Sequence, residues 1–206
     1  MIKLVITFCM WIVFSPLFCQ TPEQLDQKVR DFLDQQRGKW SDLNIPESDG
    51  KVLYDIIVSN NYQKALEIGT STGHSTIWMA WALSKTGGKL ITIEIDERRY
   101  KIAKDNIRKA GLGPFVDARL ADAHQLVPAL QGPFDFVFSD ADKSWYKNYF
   151  LAVDPKLLPG GCYTTHNVNN TQNVAYLQFL LGLENYETTV NDDGAGMSIS
   201  SKKADR

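Results

Sequence analysis

The sequence predicts an α/β fold: a mostly parallel sheet of seven strands, with helices on both faces and one antiparallel edge. Three observations predict it. Strand-like and helix-like runs alternate regularly from residue 65 onward. A glycine turn at 69–73 joins the first of these strands directly to a helix. Two strand-like runs follow one another at the end without a helix between them, which calls for an antiparallel edge pair.

In order, Thr21-Pro22-Glu23 reads as a helix start with proline in the first turn, and the helix runs through Leu25, Val29, Phe32 and Leu33. Residues 44–50 read as a loop, and Val52, Leu53, Ile56 and Ile57 form the apolar face of a second helix. The first strand, 65–68, ends in the turn Gly69-Thr70-Ser71-Thr72-Gly73, and Ser75 and Thr76 are placed to cap the helix that follows. Then come a strand at 89–94, a helix at 98–110 ended by Gly111, and strands at 116–120 and 134–140. A helix at 145–153, a strand at 161–165 after the Pro159-Gly160 turn, and a helix at 174–183 continue the pattern. Strands at 186–190 and 197–200 close the chain.

The 206 residues carry a net charge of −2 and contain no basic run, which argues against nucleic acid as a partner. Lys3 precedes an apolar run at 4–14 that Ser15-Pro16 breaks, and Leu17-Phe18-Cys19-Gln20 leads into polar sequence. A basic start, an apolar centre and a polar end outline a secretory signal. The run is shorter than the about 20 residues of a membrane span, and an uncleaved membrane anchor is the alternative. Residues 1–20 are thus expected to be a signal or anchor, and 21–206 a single domain that is exported or periplasmic, or membrane-anchored in the alternative. Cys162 stands alone outside that segment, so no disulfide is expected and a small buried residue is.

The chemistry concentrates at strand ends. Glu67, Glu94, Asp122 and Asp140 each lie at or just after the carboxyl end of a strand, the rim where open α/β sheets bind ligands, so the four are expected to converge on one cleft. Gly69 and Gly73 permit positive φ and close approach of a ligand. The spacing Gly-x-x-x-Gly with an acidic residue before it differs from the Gly-x-Gly-x-x-Gly of dinucleotide binders. It favours a cationic ligand without a pyrophosphate, such as S-adenosylmethionine, over a nicotinamide cofactor. Asp140-Ala141-Asp142-Lys143 brings two carboxylates and a lysine to the same rim, a set able to hold a divalent cation and to move a proton.

The series Glu67-Ile68-Gly69-Thr70-x-Thr72-Gly73-x-Ser75, Glu94, Asp122-Ala123, Phe138-x-Asp140-Ala141-Asp142-Lys143-x-x-Tyr146 and Gly160-Gly161 resembles the class I S-adenosylmethionine-dependent O-methyltransferases. Within them it is similar to the caffeoyl-CoA and catechol branch. The resemblance implies a Rossmann-like fold and methyl transfer from S-adenosylmethionine to a hydroxyl of a small, phenolic or catechol-like acceptor. It implies Glu67, Gly69, Thr70, Gly73 and Ser75 around the methionine part of the cofactor and Glu94 on its ribose. Asp122 and Ala123 would border the adenine. Asp140 would border the cofactor and ligate a divalent metal, magnesium in the family. Lys143 would deprotonate the acceptor, and a homodimer through the amino-terminal helix is implied as well.

Two departures stand out. The Asp-Asn pair that completes the family's metal site is His166-Asn167 here. With Asp140, His166 and Asn167 as ligands, an imidazole donor would favour manganese or zinc over magnesium; the alternatives are a site that binds metal weakly or one that uses none. His166 could otherwise serve as a base. The segment after Asn167 is short, and His74 replaces a common tyrosine, so the acceptor pocket is reduced. Trp40, Trp145 and Tyr146 are candidates for stacking on an aromatic acceptor. The alternative function is a catalytically idle exported binding protein that keeps the cofactor-type pocket.

Overall fold

The computed structural model describes residues 21–40, 42–193 and 196–204; the expected signal or anchor at 1–20 lies outside the described residues. Among the described residues no helix is long and apolar enough to cross a membrane.

Two helices precede the sheet. In α1 (Pro22–Gln36) Thr21 and Gln24 form a reciprocal capping box, and Leu25, Val29 and Phe32 face inward. Helix α2 (Glu47–Asn60) begins three residues before the expected loop ends, so Asp49 and Gly50 are buried in its first turn. Gly50 is required there, because a Cβ would stand 2.2 Å from the Trp78 ring.

The alternating part follows as β1 (Lys64–Ile68), α3 (His74–Thr86), β2 (Lys89–Glu94), α4 (Glu97–Ala110), β3 (Val116–Leu120), α5 (Ala123–Ala129), β4 (Phe134–Ser139), α6 (Tyr146–Val153), β5 (Leu157–His166), α7 (Val174–Leu181), β6 (Tyr186–Asn191) and β7 (Met197–Lys202). The sheet order is β3-β2-β1-β4-β5-β7-β6. The pairs from β3 through β5 are parallel, and β7 runs antiparallel to both β5 and β6. The reversed strand is therefore β7, next to the edge, while β6 is the edge itself. Cys162 is a free buried thiol, as expected.

Strand side chains alternate between two cores. Leu66, Ile68, Val137 and Tyr163 pack with residues of α5, α6 and α7. Ala65, Phe136, Phe138 and Cys162 pack against α2 and α3 on the other face. Helix α5 was not foreseen. It is short and contains Pro128, and its N-cap is Asp122, whose carboxylate accepts from the His124 N–H.

The cleft lies at the carboxyl ends of the parallel strands. Chain order reverses between β1 and β4, so the connections from these adjacent strands leave in opposite directions and a crevice forms there.

Candidate functional site

Gly69 and Asp140 meet at that crevice. The Asp140 N–H donates to the Ile68 carbonyl at 2.9 Å, tying the end of β4 to the end of β1. Gly69 has φ +102°, and a Cβ on it would lie 2.7 Å from the Asp140 carbonyl oxygen, so glycine is dictated by both conformation and space. The resulting cleft has a volume of about 430 Å³, within the size range of small-molecule sites, and Glu94, Asp122, Asp140, Lys143 and His166 line it. Gly69, Ala123 and Asn167 also line it.

Glu94 is held rigidly at the end of β2. Its Oε2 accepts from the Ser71 N–H at 2.7 Å, and its Oε1 accepts from the N–H groups of Ile95 and Asp96 at 3.0 and 2.9 Å. A carboxylate offers about four acceptor positions, so one side remains for a ligand diol. Above it, Asp42 accepts from Arg98 and Arg99 at 2.6 and 2.8 Å, and these guanidinium groups lower its pKa to about 2.

Glu67 differs from the other three carboxylates and does not line the cleft. It is fully buried on the α3 side of β1. Its Oε1 accepts from Ser75 Oγ at 2.5 Å, and its Oε2 accepts from Thr76 Oγ1 at 2.6 Å and Thr92 Oγ1 at 2.5 Å. Burial raises its pKa to about 7 against the opposing effect of these hydroxyls. The expected convergence thus holds for Glu94, Asp122 and Asp140 and fails for Glu67, because β1 is a central strand whose α3 side is sealed. Ser75 and Thr76 correspondingly do not cap α3; its N-cap is Gly73, with no side-chain bond. Thr70 is buried, its hydroxyl 2.5 Å from that of Thr92, and Gly73 lies with its Cα toward Ala103 of α4. Thr70, Gly73 and Ser75 therefore shape the turn from beneath.

The aromatic candidates fare unevenly. Trp40 stacks on His74, with ring centroids 4.4 Å apart, and Tyr146 is fully buried. Trp145 stays close to the cleft, its ring centroid 4.2 Å from that of His124, and the buried Tyr146 reaches it only with its hydroxyl, against Asp140. His74 is structural: Nδ1 lies 2.9 Å from the Ile45 carbonyl and Nε2 accepts from the Trp78 N–H, while burial lowers its pKa.

At the β4–β5 end of the cleft, Lys143 Nζ is 3.5 Å from Asp140 Oδ1, which also accepts from the Tyr146 hydroxyl at 3.4 Å. His166 ends β5 and is almost fully buried. Its Nε2 is 2.7 Å from Oδ2 of the buried Asp49, and its Nδ1 is 3.3 Å from Asp140 Oδ2. Burial opposes a charge on this ring, but the flanking carboxylates of Asp140 and Asp49 prevail and raise its pKa to about 9. The Nδ1 contact is misaligned, and that atom has no hydrogen-bond partner. Asn167 follows with φ +58° and lines the same cleft wall. Two donors about 2.1 Å from one ion stand roughly 3.0–3.4 Å apart, a spacing that Nδ1 and Asp140 Oδ2 match as a pair, while among the described residues no group of three or more His, Cys, Asp or Glu is arranged to hold an ion. Asp49 was not foreseen; it lies in the expected loop, 117 residues before its partner.

Residues 19–176 match the O-methyltransferase family. A catechol O-methyltransferase from Niastella koreensis is 38% identical over 130 residues, covering 61% of this chain and 58% of that protein. A caffeoyl-CoA O-methyltransferase from Eucalyptus gunnii is 33% identical over 156 residues, covering 73% and 61%. The match thus spans about six tenths of each relative's length. Among solved structures, an O-methyltransferase from Bacillus cereus in complex with SAH superposes with TM-score 0.73 at 26% identity, covering 86% of this chain and 91% of that one. The O-methyltransferase TomG from Streptomyces achromogenes, in complex with SAM, gives 0.69 at 25% identity, covering 93% and 94%.

Proposed function

The chain belongs to the O-methyltransferase family, and from that premise we propose that it moves the methyl group of S-adenosylmethionine to a hydroxyl of a small phenolic or catechol-like acceptor. The observation that carries this reading is the division of the cleft into two ends. Glu94 and Asp122 line one, Asp140, Lys143 and His166 the other, and Gly69 and Ala141 lie on its walls without side-chain charge.

The cofactor supplies an electrophilic methyl group on a sulfonium. Glu94, fixed by three backbone N–H groups, accepts from the ribose diol. Asp122 and Ala123 border the base, with His124 beside them. The carboxylates of the rim favour a cationic ligand. Asp140, His166 and Asn167 line the end of the cleft that would hold a divalent ion, which would supply positive charge to the reacting hydroxyl. Lys143, half-buried at the cleft edge, would receive the proton of the acceptor hydroxyl in its neutral amine form, which positive charge from the sulfonium and a bound ion would favour. Holding acceptor and methyl donor in line in one enclosed site provides the remainder of the acceleration.

The test is calorimetric titration with S-adenosylhomocysteine, followed by methyl transfer to a panel of catechols. Micromolar binding, about −8 kcal/mol, is expected. The Lys143→Ala variant should bind equally well yet turn over about 10²-fold more slowly or worse. Absence of binding, or full turnover by that variant, refutes the assignment.

A further inference from the structure

Asp49 has no part in the reading above except through His166. It sits in the first turn of α2, 2% exposed, and its Oδ2 takes the Nε2 side of the imidazole at 2.7 Å. A buried carboxylate is costly unless something compensates it, so this pairing is built in. The other ring nitrogen is buried, has no hydrogen-bond partner, and lies beside Asp140 Oδ2. A carboxylate on one imidazole nitrogen with the second nitrogen facing another donor is the arrangement by which proteins orient a metal-binding histidine.

We propose that Asp49 is a positioning residue that keeps a proton on His166 Nε2 and thereby presents Nδ1, with Asp140 and Asn167, to a late first-row ion such as cobalt or zinc in preference to magnesium. The inference rests on the methyl-transfer reading for its purpose, though its geometry does not. Magnesium takes oxygen ligands in near-ideal octahedra, whereas imidazole raises affinity for later ions. Asp49 also acts on the donor itself, since an acceptor on Nε2–H makes Nδ1 more basic.

The experiment titrates the full chain with cobalt(II) chloride, read by its visible absorption bands, and separately with magnesium chloride in a calorimeter. Cobalt should bind at least about tenfold more tightly than magnesium, with bands that report a nitrogen donor. D49A should weaken cobalt about 10–100-fold, and D49N, which still accepts from Nε2, should recover most of the loss. H166D, which restores an all-oxygen set, should reverse the order in favour of magnesium. Failure of cobalt to bind the unsubstituted chain overturns the proposal and leaves His166 a charged bridge between two carboxylates. Magnesium binding as tight as cobalt overturns it too, and neither result depends on a variant that folds. Unchanged cobalt bands in D49A also count against it. Titration with S-adenosylhomocysteine in parallel separates the two readings: cobalt bound without it leaves the inference standing and removes methyl transfer, and the reverse removes the inference alone.

Discussion

Replacing Gly69 by alanine tests the architecture of the cleft at its narrowest point. The added methyl would meet only backbone: the Asp140 carbonyl oxygen at 2.7 Å, its carbon at 2.9 Å and the Ala141 nitrogen at 3.1 Å. None of these can swing aside as a side chain would, so the end of β4 must move. A left-handed φ costs a residue with a Cβ about 1–2 kcal/mol, and forced overpacking costs about 1–3 kcal/mol more. The sum of about 2–5 kcal/mol is a large part of the about 5–15 kcal/mol that holds a domain together. Gly87→Ala is the control, because Gly87 also has positive φ (+75°) but nothing within 4 Å of the added atom. It should lose only the conformational part, about 1–2 kcal/mol. Urea unfolding of both variants gives the difference, and calorimetry with S-adenosylhomocysteine gives its functional counterpart. Gly69→Ala should bind at least about tenfold more weakly, since Asp140 and its neighbours shift, and about 1 Å of misplacement costs far more than that in rate. Equal stability losses in the two variants, with unchanged binding, would show that β4 is not braced against the turn.

Glu94→Ala should weaken S-adenosylhomocysteine by about 10–100-fold, as expected for one charged hydrogen-bonding group worth about 1.5–3 kcal/mol; calorimetry decides, and an unchanged affinity removes Glu94 from the cofactor site. Glu67 sets a pH dependence. Its pKa is raised by burial from 4.5 to about 7, so the folded chain holds this proton more tightly than the unfolded one. The associated stability is fully present below pH 4.5 and is lost as pH rises through about 7, amounting to about 3 kcal/mol. In denaturation curves Glu67→Gln should lack this fall, and parallel pH profiles for the two proteins would contradict it.

Much of this was readable because it is local. Glycine turns, strand runs and acidic residues at strand ends are set within a few residues of one another, and the topology of a parallel sheet does the rest. That is why Gly69, Glu94, Asp122, Asp140 and Lys143 share one cleft as expected. Glu67 was misplaced because β1 is covered on both faces, its burial running unbroken from Ala65 to Ile68. In such a strand, alternation does not tell which side chains reach the rim. Helix α5 escaped notice because seven residues with an internal proline carry too little periodicity, and a carboxylate such as Asp122 reads equally as a helix N-cap or a ligand group from sequence alone. Asp49 was invisible for a different reason: its meaning depends on His166, a partner brought close only by the completed sheet.

Glu67 and Asp49 also show where the precision of the cleft originates. Glu67 joins Thr92 of β2 to Ser75 and Thr76 of α3 from its own place on β1, so one carboxylate fixes three elements under the glycine turn. Asp49 joins α2 to the end of β5 through His166. Both are sealed from solvent, and each faces the cost of a buried carboxylate that only nearby donors offset. Neither lines the cleft, yet each braces residues that do: the turn of Gly69 and Ser71 in one case, His166 and Asn167 in the other. Substitutions at these supporting carboxylates should therefore disturb the two ends of the cleft separately. Loss of Glu67 acts on the turn beside Glu94, and loss of Asp49 acts on the wall beside Asp140. Such a division is what the reversal of chain order between β1 and β4 imposes, since the two halves of the sheet support their rims from opposite sides of that crevice.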